Sequence, residues 1–302
     1  MGRRIVGPLV ILMIVGGLVT TACSKTTVDP LGSARPPTMV EARFVATDAA
    51  GTTSQLVEDA TALNIRLRTL GIADTATVRD RAVEVLGPVK LPVPTSNLTA
   101  VGLLQIRPAL CQAPPYAPAA PSAAAGSLPT TCSSSRYSLR APNLTVNVAS
   151  GVSNQSSIAP DPTLAAYPSS SAAYDDSHPG NSVLIPVDGE SGVRCLLGPA
   201  ALSGTAVVSA QAAFANPQWF VDVTLTASGA TRWDAVARDN FHQIIGIDVD
   251  GRAVSLPLIQ PTDAEAISFD GRMEISGPFT KRTAQNLAAD LASGPLATPL
   301  SS

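Results

Sequence analysis

Histidine is the side chain best suited to proton transfer near neutral pH, and this chain of 302 residues holds only two, His178 and His242. Neither stands in a pattern that supplies a nucleophile, a base and an orienting acid, so hydrolytic chemistry finds no constellation to build on. Asp175, Asp176 and His178 could offer a carboxylate and imidazole set to a metal ion, but their Pro- and Ser-rich surroundings read as a solvated turn. Asp248, Asp250 and Gly251 open like a calcium loop, yet the closing Glu is missing, and Asp250-Gly251 reads instead as a tight hairpin turn. Ser203-Gly204 is a turn, and there is no glycine-rich phosphate loop. No enzyme activity, metal or cofactor is expected.

The cysteines are more informative. Arg3 and Arg4 precede an apolar run from Ile5 to Val19, which ends in Thr20, Thr21 and Ala22 before Cys23. That is the layout of a secretion signal. Ala22-Cys23 resembles the lipobox of bacterial lipoproteins, with Thr20 departing from the aliphatic residue usual there. The resemblance implies a signal peptide over residues 1–22 and lipid attachment at Cys23, with an uncleaved anchor as the alternative. Either way the chain is expected on the outer face of the cytoplasmic membrane, with residues 23–40 as a tether.

In that oxidising compartment Cys111, Cys132 and Cys195 remain. Cys111 and Cys132 bracket a Pro/Ala-rich excursion and are expected to pair, closing a loop worth ~3 kcal/mol in the chain-entropy model. A Cys132 to Cys195 bridge is the alternative. Cys195, beside Leu196 and Leu197, reads as a small buried hydrophobe.

Charged residues make up 14% of the chain and the net charge is -3, which argues against a nucleic-acid partner. The hydrophobic content of 45% suffices for a core. Ala42, Phe44 and Ala46 alternate as a strand, and Leu56, Leu63, Leu67 and Leu70 set a helix over 53–70 with Gly71 behind it. Strands are expected over 77–86 and over 101–107, the second stopped by Pro108. From Cys111 to Asn181 the sequence turns to Ala, Pro, Ser and Thr with little periodicity, and reads as an extended, partly disordered, peripheral insertion, with a short strand possible near Leu139 to Val148. Regular patterns resume with a strand at 219–225, a helix at 227–241 carrying Trp233, a hairpin of 243–249 with 252–256, an extended segment at 266–276 and a helix at 280–291 ended by Gly294-Pro295. The N-x-[ST] matches at Asn97, Asn143 and Asn154 are assigned no role.

Several of these pieces share a family likeness. Leu196-Leu197-Gly198-Pro199-Ala200-Ala201-Leu202, Asp248-Val249-Asp250-Gly251-Arg252 and Ile275-Ser276-Gly277-Pro278-Phe279-Thr280 resemble, in order, the large extracytoplasmic domain of SecD, a subunit of the SecDF protein-export machinery. Arg66-Leu67-Arg68-Thr69-Leu70-Gly71 is similar to a helix end of the SecD base, and Leu104-Gln105-Ile106-Arg107-Pro108 to one of its strands. The resemblance implies an α+β fold: a ferredoxin-like base over 41–110, the insertion over 111–181 and a SecD-like head over 182–300. It also implies an export or envelope-assembly accessory that binds exported polypeptide or a translocon, with contact regions near Cys195 to Leu202 and around Asp250. SecD continues into transmembrane helices that carry a proton relay, and a chain stopping at Ser302 is expected to lack one. An accessory subunit docked to an RND-type transporter is the alternative.

Overall fold

A computed structural model describes residues 39–47, 51–88, 90–117, 127–140, 146–147, 152–153, 158–259 and 268–302. The expected signal peptide, Cys23, nearly all of the expected tether, Asn143 and Asn154 lie outside the described residues. In chain order the first elements are β1 (Met39–Ala46), α1 (Thr53–Thr69), β2 (Thr75–Arg79), β3 (Ala82–Gly87) and β4 (Leu104–Ala113). Then come β5 (Val146–Asn147), β6 (Val152–Ser153), α2 (Ala172–Ser177), β7 (Val183–Pro186), β8 (Arg194–Leu197) and β9 (Leu202–Ser203). The remainder is β10 (Val207–Ala215), β11 (Gln218–Leu225), α3 (Ala227–Asp239), β12 (Ile245–Val249), β13 (Arg252–Ser255), β14 (Arg272–Phe279), α4 (Lys281–Ser293) and β15 (Leu300–Ser301).

The base is an antiparallel sheet in the order β15-β1-β3-β2, with α1 packed against α4. Strand order 4-1-3-2 with two helices is ferredoxin-like, and its last helix and strand come from the far end of the chain. Everything between β3 and α4 is thus inserted into the base. Leu296 and Leu300 join Phe44, Leu63, Leu67 and Val85 in its core, and β15 has no counterpart in the sequence reading. A two-residue strand leaves no periodicity to read. Helix α1 starts at a capping box, Thr52 with Gln55, and ends before Gly71 at φ +72°. The strand expected over 77–86 is two strands, because Asp80 and Arg81 both take positive φ in a two-residue hairpin turn. Lacking Gly or Asn, that turn carries no strong sequence signal.

The head has two sheets. In the first, β10-β11-β14 is antiparallel, and its inner residues Val221, Val223 and Ile275 share a core with Trp233 of α3 and Leu287 of α4. The second runs β13-β12-β4-β8-β7, with β9 also on β4. Strand β4 does not stop at Pro108. The Pro108 carbonyl accepts from Gly198 N–H at 2.8 Å, so its missing N–H faces the connection between β8 and β9 and leaves no ladder partner stranded.

The expected boundary at 110/111 therefore falls inside β4. Described parts of the 111–181 segment are integral to the head: Cys111, Leu139, Leu164 and Asp175 are fully buried. They are held by polar anchors rather than by an apolar stripe. Arg194 donates to the carbonyls of Pro114, Leu164 and Tyr167 at 2.9, 2.9 and 2.7 Å, and Asp161 accepts from the Ser133 and Thr163 amides at 2.6 and 3.0 Å. Periodicity cannot reveal that kind of docking. Cys111 and Cys132 form the disulfide, with Cα atoms 5.9 Å apart, and Cys195 is free and buried. The Cys132 to Cys195 alternative is thereby excluded.

Candidate functional site

The chain crossing from base to head between β3 and β4, and the loop between α4 and β15, are each clamped by a polar side chain of α1. Arg66 of α1 is fully buried; its guanidinium donates to the carbonyls of Leu98 at 2.6 Å, Ala100 at 2.5 Å and Val101 at 3.3 Å, and to Ser293 Oγ at 3.0 Å. Asp290 of α4 lies 3.5 Å away. Burial lowers the Arg66 pKa, with Asp290, Asp250 and Asp59 opposing. Burial pushes the Asp290 carboxyl up to about 7 against the pull of Arg66. Asp59, two turns earlier on α1, accepts from the amides of Ala297 and Thr298 at 2.6 and 3.3 Å and from Thr298 Oγ1 at 2.6 Å. Asp250, in the hairpin turn between β12 and β13, accepts from the amides of Gly102 and Leu103 at 3.1 and 2.8 Å. Gly102 itself is required: at φ +78°, a Cβ there would stand 2.9 Å from the Arg66 guanidinium.

Beside this clamp opens a cleft of about 560 Å³. Leu103, Ala201 and Leu202 give it an apolar wall, and Gln105, Ser203, Ser228 and Arg232 give it polar ones. Gln105 is 4% exposed, and its amide oxygen has no hydrogen-bond partner among the described residues. That oxygen is itself enclosed, an unsatisfied acceptor behind the cleft wall. Asp176 and Arg232 put one charge of each sign in the lining, beside the apolar wall.

A second buried cluster fixes the head internally. Arg107 of β4 is 0% exposed; it donates to the carbonyls of Asn181 and Gly198 at 2.9 and 2.8 Å, pairs with Asp175 of α2, and lies 3.6 Å from Asp248 of β12. One guanidinium faces two buried carboxylates, so charge balance calls for a proton shared between them. Desolvation, then the hydrogen bond and charge of Asp175, push Asp248 up to about 9.

The residues singled out from the sequence therefore scatter. Asp175 turns inward to Arg107 instead of lying in a solvated turn, Asp176 lines the cleft, and His178 stacks on Tyr174 with ring centroids 4.5 Å apart. Among the described residues, no group of three or more His, Cys, Asp and Glu is placed to hold a metal ion. Of the two suggested contact regions, Ala200 to Leu202 lines the cleft while Cys195 to Leu197 is buried in β8, and Asp250 serves the junction. Arg66, Asp290, Arg107 and Gln105 were missed as functional residues. A signal existed for the first: Leu56, Asp59, Leu63, Arg66 and Leu70 step along one helix face, and a charge on such a stripe needs a buried partner.

The fold and junction define a two-part α+β domain, a ferredoxin-like base with a head inserted into it. Residues 182–298 match the family model described as SecDF, P1 head subdomain. Over 107 residues the chain is 35% identical to the protein translocase subunit SecDF of Thermus thermophilus, covering 34% of this chain and 14% of that protein. It is 34% identical over 102 residues to the protein translocase subunit SecD of Sebaldella termitidis, covering 33% of this chain and 23% of that one. A crystal structure of SecDF in a super-membrane-facing form aligns with 86% of this chain and 29% of its own, with a TM-score of 0.51 and 18% identity, a likeness of fold. The chain thus spans less than a quarter of the length of either of these relatives.

Proposed function

We propose that this chain is an extracytoplasmic accessory of protein export, held at the outer face of the cytoplasmic membrane by a lipid on Cys23, that binds emerging polypeptide in the cleft between base and head. The observation that carries the reading is the match of residues 182–298 to the SecDF P1 head subdomain. The cleft supports it, since Leu202, Ser203, Ser228 and Arg232 fall inside that stretch and combine an apolar with a polar wall. Nothing in the cleft favours a strongly charged ligand such as nucleic acid.

The test is a photo-crosslinking amino acid at position 202, used in living cells, with crosslinked chains identified by mass spectrometry. A spread of export substrates, together with translocon subunits, is the expected result. Recovery of a single membrane transporter in near-equal amount would replace this reading with that of a docked transporter subunit. Incorporation of labelled palmitate into the wild-type chain, and its loss in Cys23→Ala, tests the anchor separately.

A further inference from the structure

Strand β10 lies at the edge of its sheet, paired on one side with β11 and on the other with nothing among the described residues. An edge strand presents a row of unpaired N–H and C=O groups, which proteins usually guard with charge, proline or brevity. Other edge strands among the described residues are short or carry charge or proline. Strand β2 has five residues ending in Arg79, β7 has four ending in Pro186, β15 has two, and β14 carries Arg272, Glu274 and Pro278 with β13 beside it. Strand β10 has nine residues, Val-Val-Ser-Ala-Gln-Ala-Ala-Phe-Ala, without charge or proline; helix α4 packs against it, and its outer backbone groups have no strand partner among the described residues. Its Val208 and Phe214 are 60% and 53% exposed. At its far end Phe214 packs on Trp219 with centroids 5.2 Å apart, and Trp219 pairs across the ladder with Phe279. Trp219 and Phe279 are partly buried against the head core, with the Lys281 ammonium 5.9 Å from the Trp219 ring centroid, so Phe214 is the main exposed apolar side chain at this tip.

We infer that the free edge of β10 is a second docking surface, which takes an extended, uncharged polypeptide segment by adding it as a fourth strand next to β10, its apolar side chains reaching the Phe214–Trp219 tip. The inference rests on the polypeptide-binding reading above and names the mode of capture. The occupant follows from the surface. Only an extended strand presents donors and acceptors at the repeat of an edge, and backbone pairing is indifferent to side-chain sequence, as capture of many different chains requires. The neutral strand repels neither acidic nor basic segments but offers neither an ion pair, so it suits uncharged stretches. A second copy of the chain fits less well: nine residues a side fall short of the roughly 20–30 that a stable interface uses.

The test uses the full chain in detergent and two probes, a reduced and carboxymethylated unfolded protein, and a ten-residue alternating Val-Thr peptide with its alternately N-methylated counterpart. Gln211→Lys with Ala213→Lys puts charge on exposed and half-exposed positions of the edge without touching the core, and an unchanged melting temperature checks that it folds. The expected outcome is binding of both unmethylated probes, weakened roughly tenfold by the double Lys variant and by N-methylation of the peptide. Slower exchange of alternate β10 amides on adding the peptide is expected in parallel. Probe binding that Ser228→Trp abolishes, at an unchanged melting temperature, but the β10 variant leaves unchanged would overturn this inference and keep the cleft. Binding of neither probe by the wild-type chain would remove both readings. A dimer in sedimentation that the Lys variant dissociates would assign the edge to a second copy, and that too overturns the proposal.

Discussion

Replacing Arg107 with Leu tests the centre of the head. The guanidinium is fully buried, with three carbonyls and two carboxylates around it. Leucine preserves some volume and removes the charge, which leaves Asp175 and Asp248 facing each other across a dry space. Removing one partner of a buried ion pair costs about 3–5 kcal/mol, because the remaining charge is stranded. For a chain of this size a loss of that order lowers Tm by roughly 6–20 °C at 2–4 °C per kcal/mol. The assay is urea unfolding of wild type, Arg107→Leu, Asp175→Asn and the double variant. Because the two groups share one interaction, the double variant should lose clearly less than the sum of the singles, by 1 kcal/mol or more. The 175–181 segment, tied to β4 by the same guanidinium, should also become the first site of proteolysis in Arg107→Leu. A loss below about 1 kcal/mol with additive singles would refute the argument, since it would mean that water reaches the cluster and the segment docks by other means.

Three further outcomes follow from the same geometry. Asp248 and Asp290 have folded pKa values raised to about 9 and about 7, so the stability they contribute is full below pH ~4 and declines as pH rises through those values; Asp248→Asn, which imitates the protonated acid, should flatten the fall in ΔG between pH 5 and 9, as read by urea titration. Cys111→Ser with Cys132→Ser opens a loop with a sequence separation of 21 and should cost ~3 kcal/mol in the same titration, with reduction of the wild type giving the same loss. The Cys195 thiol, pushed up to about 12 by burial and by Glu190, should ignore a thiol reagent at pH 8 in the native protein and react fully in denaturant.

Helices α1, α3 and α4 and the strands β11 to β13, with part of β14, were legible because each is amphipathic in its own period, whereas α2 and β7 to β10 were not read. Leu56, Leu63 and Leu67 mark α1, the alternation of Trp219 to Leu225 marks β11, and Asp250-Gly251 marks its hairpin. Pairing Cys111 with Cys132 was legible too, because a Pro/Ala-rich loop has little else to close it. The 111–181 segment was misread for a physical reason. It is fixed by single side chains, Arg107, Asp161 and Arg194, each satisfying carbonyls or amides that are remote in sequence. No window of neighbouring residues carries that information.

By itself, then, the sequence determined the amphipathic elements and the α+β class and favoured one cysteine pairing, since propensity, periodicity and loop closure act within a few turns of chain. Only the tertiary structure decided that Leu300 completes a sheet begun at Met39, that Cys195 stays free, that Arg66 and Asp290 meet, and that Arg107 faces both Asp175 and Asp248. Those outcomes depend on which buried polar groups find partners across hundreds of residues, and desolvation makes each such match decisive.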